Sequence, residues 1–268
     1  MMKMNKIKKL LPACVICIAL VGCIGTRETI NIAGSTTVLP IVQKCADRYM
    51  QLHPEVDVRV SGGGSSMGIK NVGDGIVDIG MASRDIKDSE KSNYPDLVKH
   101  VIAKDGIAII VHPSNPLSNL TSEQLKGIYN GTYTRWEEFG WTGEIVVVGR
   151  DTASGTGEFF WEHVMKKENF TSGMLALPSN GAVHDKVAST QNAIGFVGIG
   201  YISNKVKALK LDGIEPTLEN VKNKVYPLAR ELYLFTKGEP TGLTKDFINF
   251  VKSDEGQKIV EEEGFIPL

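Results

Sequence analysis

From Thr29 to the C-terminus, short runs of β-branched and apolar residues alternate with amphipathic stretches of helical period, and a glycine- or serine-rich turn separates many of the pairs. The apolar runs predict strands over 29–33, 56–60, 77–81, 107–112, 145–149, 194–197 and 231–236. The periodic stretches predict helices over 38–52, 66–72, 122–130, 157–167, 181–191, 243–253 and 254–263. Strand and helix in turn is the rhythm of a wound α/β sheet. Two places disturb it. Pro113, Pro116 and the serines up to Ser122 interrupt the chain after the fourth strand, and Val225 to Ala229 leads into another strongly apolar one. These are the expected crossings between two lobes, 29–112 plus 228–268 forming one and 113–227 the other. A body of about 245 residues also exceeds what one modest core usually covers.

The N-terminus follows a different pattern. Lys3, Lys6, Lys8 and Lys9 precede thirteen uncharged residues, Leu10 to Gly22. That is the charge layout of a signal peptide, and the run is shorter than the roughly 20 apolar residues of a spanning helix. It ends in Leu20-Val21-Gly22-Cys23, which resembles the lipobox of exported lipoproteins, so 1–22 is read as a signal peptide, Cys23 as the lipidated first residue and 23–28 as a tether. Removing 1–22 takes four lysines from the 30 basic side chains and nothing from the 31 acidic ones, leaving a formal charge of −5. No basic field for nucleic acid exists. Cys14 and Cys17 leave with the signal, so Cys45 is the one thiol left in the body, without a partner for a disulfide, and its apolar helical setting makes it a small buried hydrophobe.

Candidate chemistry lies in four turns where predicted strands give way to helices. The first is Gly34-Ser35-Thr36-Thr37 and the second Gly62-Gly63-Gly64-Ser65-Ser66. The third is Ala82-Ser83-Arg84-Asp85 and the fourth Arg150-Asp151-Thr152-Ala153-Ser154-Gly155-Thr156. Taken singly, each is an ordinary helix cap. Together they place hydroxyls, free helix amides and two arginines at the carboxyl ends of strands, where open α/β sheets bind ligands and where anions meet the helix N-termini. Arginine can grip a tetrahedral oxyanion through paired hydrogen bonds.

In order and spacing these turns resemble the phosphate-binding subunits of phosphate ABC importers. Ala193-Ile194-Gly195-Phe196-Val197 and Gly200-Tyr201 add to the likeness. The resemblance implies the two-lobed type II periplasmic binding protein fold, each lobe a mixed sheet flanked by helices, with the ligand cleft between them. It implies phosphate contacts from Thr36, Thr37, Ser65, Ser83, Arg84, Arg150, Ser154, Gly155 and Thr156, no cofactor and no catalytic residue. Its partners would be inorganic phosphate, the importer's permease subunits and, through lipid on Cys23, the outer face of a membrane, the protein acting as a monomer. One residue departs from the pattern. Well-known members carry an aspartate after the Ala-Ser of the third turn, where it accepts the proton that phosphate retains; here Arg84 stands there. Asp78, Asp85 and Asp151 are each near enough in sequence to substitute.

Two other readings compete. Gly64-Ser65-Ser66-Met67-Gly68 fits the G-x-S-x-G elbow of serine hydrolases, although it follows only the second strand, and none of His53, His100, His112, His163 and His184 is an evident base. A binder or sensor of another tetrahedral oxyanion would share every feature of the turns. No Cys-x-x-Cys in the body and no His-Glu-x-x-His points to a metal.

Overall fold

The computed structural model describes residues 27–268, so Cys23 and the signal peptide lie outside the described residues. The chain opens with β1 (Glu28–Gly34), whose alternate residues Ile30 and Ile32 are buried. In α1 (Leu39–Leu52), Pro40 pre-sets the first turn, and Ile41, Val42, Cys45, Ala46 and Tyr49 form one buried stripe. Next come β2 (Val56–Gly62), α2 (Ser65–Gly73), β3 (Ile79–Ala82) and the short α3 (Asp88–Asn93). Both β2 and β3 run parallel to β1, so their carboxyl ends point the same way and carry the first three turns to one edge.

A 15-residue strand, β4 (Leu97–Val111), then runs through both halves of the molecule. The second half adds β5 (Asn119–Leu120), α4 (Ser122–Tyr129), β6 (Val146–Gly149), α5 (Gly155–His163), β7 (Leu175–Ala176) and α6 (Asn180–Ala188). It continues through β8 (Ala193–Gly198), β9 (Lys207–Leu211) and α7 (Leu218–Lys222). Finally β10 (Ala229–Lys237) returns to the first lobe, which α8 (Gly242–Lys252) and α9 (Asp254–Glu262) complete. The strands follow the order β2-β1-β3-β10-β4-β8-β6-β7, with β9 paired to β4 and β5.

Cores divide along the same line. Ile30, Ile32, Val58, Ile102, Leu232 and Phe247 belong to one cluster of the first lobe, and Ile69, Val72 and Phe235 to a smaller one. Ile107 to Val111 belong to the cluster of the second lobe with Tyr129, Trp136, Phe160 and Phe196. The first crossing therefore lies inside β4 near Asp105, ahead of the proline-rich segment where the sequence suggests it. The expectation misses it because Lys104-Asp105-Gly106 interrupts the apolar pattern without ending the strand, whereas the prolines farther on are the stronger breaker signal. Residues 97–106, outside the predicted strand, pair with β10 in antiparallel register, and Ile107–Val111 pair with β8. Near Ala229 the chain returns beside this point, with Ile107 N–H donating to Leu228 O at 2.9 Å. The hinge is thus two adjacent hydrogen-bonded strands.

The lobes touch. Ser66 N–H donates across the cleft to Ala153 O at 3.2 Å, Tyr201 Oη–H donates to Thr36 O at 2.5 Å, and Lys87 pairs with Glu158.

Candidate oxyanion site between the lobes

All four predicted turns meet at one point. Gly34, at φ 142° and with a built Cβ 2.2 Å from Met81 O, takes a path closed to other residues and turns β1 into the loop before α1. Ser35 Oγ then accepts from Thr37 N–H at 3.2 Å, so Ser35 shapes the loop while Thr36 and Thr37 face the opposite lobe. Ser65 is the first residue of α2 and Ser83 follows β3; Ser83 N–H donates to Ser65 Oγ at 3.0 Å. From the other lobe, Ser154 caps α5 by accepting from Gly157 N–H at 3.2 Å. A Cβ on Gly155 would lie 2.3 Å from Ser65 Oγ and 2.6 Å from Ser83 Oγ. Only glycine lets the α5 N-terminus come this close to the first lobe.

Burial here is nearly complete: Thr37 and Ser65 are fully buried, and Thr36, Ser83, Arg84, Arg150, Ser154 and Thr156 are buried as well. Thr37 and Thr156 hydroxyls stand 3.0 Å apart across the cleft, and an Arg150 terminal nitrogen donates to Thr36 Oγ1 at 3.0 Å. Arg150 forms no salt bridge among the described residues, and its Nε is buried without a partner. Burial first, and the charge of Arg230 next to it, pull the Arg150 pKa below the ordinary arginine value. A buried cation with so few partners is a demand for an anion.

Arg84 is placed differently from Arg150. Its terminal nitrogens donate to the two carboxylate oxygens of Glu90 at 2.8 and 2.6 Å, to Ser66 Oγ at 2.9 Å and to Asp85 O at 2.8 Å. Only its Nε is left without a partner. Nor do the carboxylates that could replace the family aspartate gather at the site. Asp78 accepts from Asn31 N–H at 2.8 Å, Asp85 is exposed and pairs with Lys99, and Asp151 braces its own turn by accepting from Ala153 and Ser154 N–H.

Three participants went unpredicted. Fully buried Asn180, at the N-terminus of α6, donates through Nδ2 to Thr36 Oγ1 at 3.1 Å and Thr37 Oγ1 at 2.9 Å. Arg230 on β10 and Asp105 on β4 are direct cross-strand partners at the hinge. Asp105 Oδ2 accepts from Arg230 Nε at 2.9 Å and from an Arg230 terminal nitrogen at 2.7 Å, while Oδ1 accepts from Ile199 N–H at 3.0 Å. Burial raises the Asp105 carboxyl above its ordinary value and lowers Arg230, and each opposes the other's shift by its charge. In sequence the two stand in the charged pairs Lys104-Asp105 and Arg230-Glu231, which read as ordinary solvated positions.

Four helices, α1, α2, α5 and α6, thus begin at this site, adding their N-terminal dipoles to two arginines and a ring of hydroxyls. The elbow motif finds another explanation. A Cβ on Gly68 would sit 2.6 Å from Met81 O, so that glycine serves helix–sheet packing. The four histidines with a side-chain hydrogen bond spend it elsewhere: His100 on Thr236, His112 on Ser114, His163 on Phe159 O and His184 on Ser203 and Asp185. His53 lies beside Glu55, so none of the five stands as a base for Ser65.

Residues 25–255 match the model of a family described as the PBP superfamily domain. The chain is 33% identical over 243 residues to the phosphate-binding protein PstS of Bacillus subtilis, covering 90% of this chain and 81% of the relative. Among solved structures it is similar to a Clostridium perfringens substrate-binding protein with bound phosphate, at 40% identity and TM-score 0.86, covering 90% of this chain and all of that one. It is also similar to an ABC-type phosphate transport receptor from Vibrio cholerae, at 36% identity and TM-score 0.74, covering 89% of this chain and 100% of that one.

Proposed function

From its membership of the PstS-like phosphate-binding proteins within the PBP superfamily, we propose that this chain captures inorganic phosphate between its lobes and delivers it to an ABC importer. The observation that carries the proposal is the buried, unpaired Arg150 facing hydroxyls and helix N-termini from both lobes. Phosphate would supply the missing negative charge. Its ligands would be Thr36, Thr37, Ser65 and Ser83 from one wall and Arg150, Ser154, Gly155 and Thr156 from the other. Arg84, already held by Glu90, would contribute through its free Nε and by fixing the third turn.

Binding would close the hinge, since the ligand bonds to both walls only when they meet. Each charge-assisted hydrogen bond in the closed site is worth about 1.5–3 kcal/mol. Delivery would follow from the permease recognising the closed spacing of the lobes. The protein would work outside the cytoplasm as a monomer, tethered through lipid on Cys23, and would carry out no chemistry on its ligand. The relatives are substrate-binding proteins, and the spent histidines give Ser65 no base, which favours binding over hydrolysis. Among the described residues no helix is long and apolar enough to cross a membrane.

Isothermal calorimetry on residues 24–268 tests the reading. One-to-one phosphate binding in the wild type, weakened at least a hundredfold by Arg150→Ala, is expected, because truncation leaves charge unpaired in a dry site. Unchanged affinity in that variant would remove Arg150 from the site.

A further inference from the structure

Every hydroxyl in the site has one proton to give and lone pairs that can accept, so its direction depends on its other neighbours. On one side of the site all of those neighbours but the threonines themselves can only donate. Thr36 Oγ1 receives an Arg150 terminal nitrogen at 3.0 Å and Asn180 Nδ2 at 3.1 Å. Thr37 Oγ1 receives Asn180 Nδ2 at 2.9 Å and an Arg230 terminal nitrogen at 3.2 Å, and the same Arg230 nitrogen reaches Thr156 Oγ1 at 3.1 Å. With both Thr37 lone pairs so engaged, its proton goes to Thr156 Oγ1 3.0 Å away, which fills the second Thr156 lone pair, and the Thr36 and Thr156 protons are left to point outward. Ser83 and Ser65 are not constrained in this way. Their hydroxyls stand 3.5 Å apart with either atom able to donate, and Ser83 Oγ has no arginine or amide donor upon it.

We infer that Arg230, held by Asp105 and assisted by Asn180, is a specificity-determining positioning group that locks the Thr37 hydroxyl as donor to Thr156 and the Thr156 hydroxyl as donor to the ligand, so that this wall rejects any protonated ligand oxygen. The inference rests on the phosphate reading above. A ligand could then keep one proton, facing Ser83, but not two. The site should take the dianion of phosphate and refuse the monoanion. Because the carboxylates beside the site, Glu90, Glu158 and Asp105, are each held by a cation, a fully ionised oxyanion such as sulfate should be admitted as well.

Arg230 is built for the task. It is 7% exposed, its partner Asp105 is fully buried, and the two are register partners on the crossing strands, so its position is set by the hinge backbone. One of its terminal nitrogens contacts a hydroxyl from each lobe, and the other is buried without a partner.

The test is calorimetry of phosphate and sulfate between pH 6 and 8 on the wild type and on the double variant Asp105→Asn, Arg230→Met, which avoids stranding a buried carboxylate. Charged or titratable groups in the surroundings of Arg230 are Asp105 on β4, Arg84, Asp85 and Lys87 after β3, and Arg150 and Tyr201 across the site. Glu158, Glu162 and His163 on α5 and Glu231 and Tyr233 on its own strand complete the set. Sulfate carries no proton in this range, so its profile reports their titration, and the phosphate profile divided by it reports the ligand alone. Wild-type phosphate affinity, so corrected, should rise about tenfold with the dianion fraction, while the variant binds both anions more weakly and loses that slope. Should the variant not fold, Asn180→Ala, which frees Thr36 and Thr37 while keeping the ion pair, should flatten the slope in part. A merely structural Arg230 would lower affinity equally at every pH and leave the slope intact, which would overturn the inference. So would a flat wild-type profile, or wild-type phosphate binding with sulfate silent. Absence of phosphate binding altogether would instead bring down the reading on which the inference rests.

Discussion

At Gly155 the α5 N-terminus comes within contact of Ser65 and Ser83. Its backbone is not in the left-handed region, so alanine would be tolerated by the turn and resisted only by the opposite lobe. Gly155→Ala should therefore cut phosphate affinity more than tenfold while leaving the unfolding midpoint of the ligand-free protein nearly unchanged. Calorimetry and urea denaturation read the two effects separately, and a large loss of stability would mean that the glycine serves the turn. Cys45 offers a second test. Burial first, and then Glu263, push its thiol up to about 12, so the native protein should resist a disulfide reagent at pH 8 and react on unfolding. A folded pKa raised above the unfolded value of about 8.5 also fixes a sign. The thiol's contribution to stability is present below that value and is lost as pH climbs toward 12.

These residues also show what a sequence can disclose. Thr36, Thr37, Ser65, Ser83, Ser154 and Gly155 were legible because each sits in a short turn whose glycines and hydroxyls mark a helix start. Asn180 sits at a similar start but lacked an arginine or a glycine repeat to single it out. Asp105 and Arg230 were hidden for another reason. They lie 125 residues apart, and only the register of β10 on β4 brings them together.

Among the elements, α5 matters most, because it carries the second wall. Its Phe160 stacks on Phe196 of β8 at 4.0 Å with the rings 9° apart and packs on Tyr129 of α4 at 4.7 Å, all three being fully buried. Aromatic packing four residues beyond Thr156 thus holds the fourth turn in place. Phe160→Ala should cost about 3–5 kcal/mol in urea denaturation. Phe160→Leu should cost less and weaken phosphate binding by a few fold, since the helix then sits less firmly. Predicted elements agree with observed ones within a few residues wherever an amphipathic stripe and a turn coincide, as in α1 and α6. The strand β4 is longer than the sequence predicts, because Lys99, His100, Lys104 and Asp105 interrupt its first half and the unbroken apolar run begins only at Ile107. The small α3 and α7, with none and one buried residue respectively, left no apolar stripe to detect.

For the whole molecule, closure is held by few contacts outside the ligand site. Lys87 from the first lobe and Glu158 from the second form an ion pair at the mouth, and Lys87 is about one-third exposed. An ion pair this open to water contributes at most about 1 kcal/mol. Lys87→Met should then change phosphate affinity by less than about fivefold and reduce its dependence on salt. A hundredfold loss would make the pair a principal latch. Small-angle scattering should show the ligand-free protein more extended than the phosphate complex.

The hinge strands have one more consequence, for how the ligand departs. Asp105 and Arg230 lie at the fulcrum, where a bending motion displaces atoms least, whereas the Lys87–Glu158 pair lies at the mouth. As the lobes part, the contact between Lys87 and Glu158 stretches first, and those of Thr37 and Thr156 with Arg230 last. Release is then a peel from the rim inward, and the ligand stays tethered at the axis until the gap beside it is wide enough to leave through.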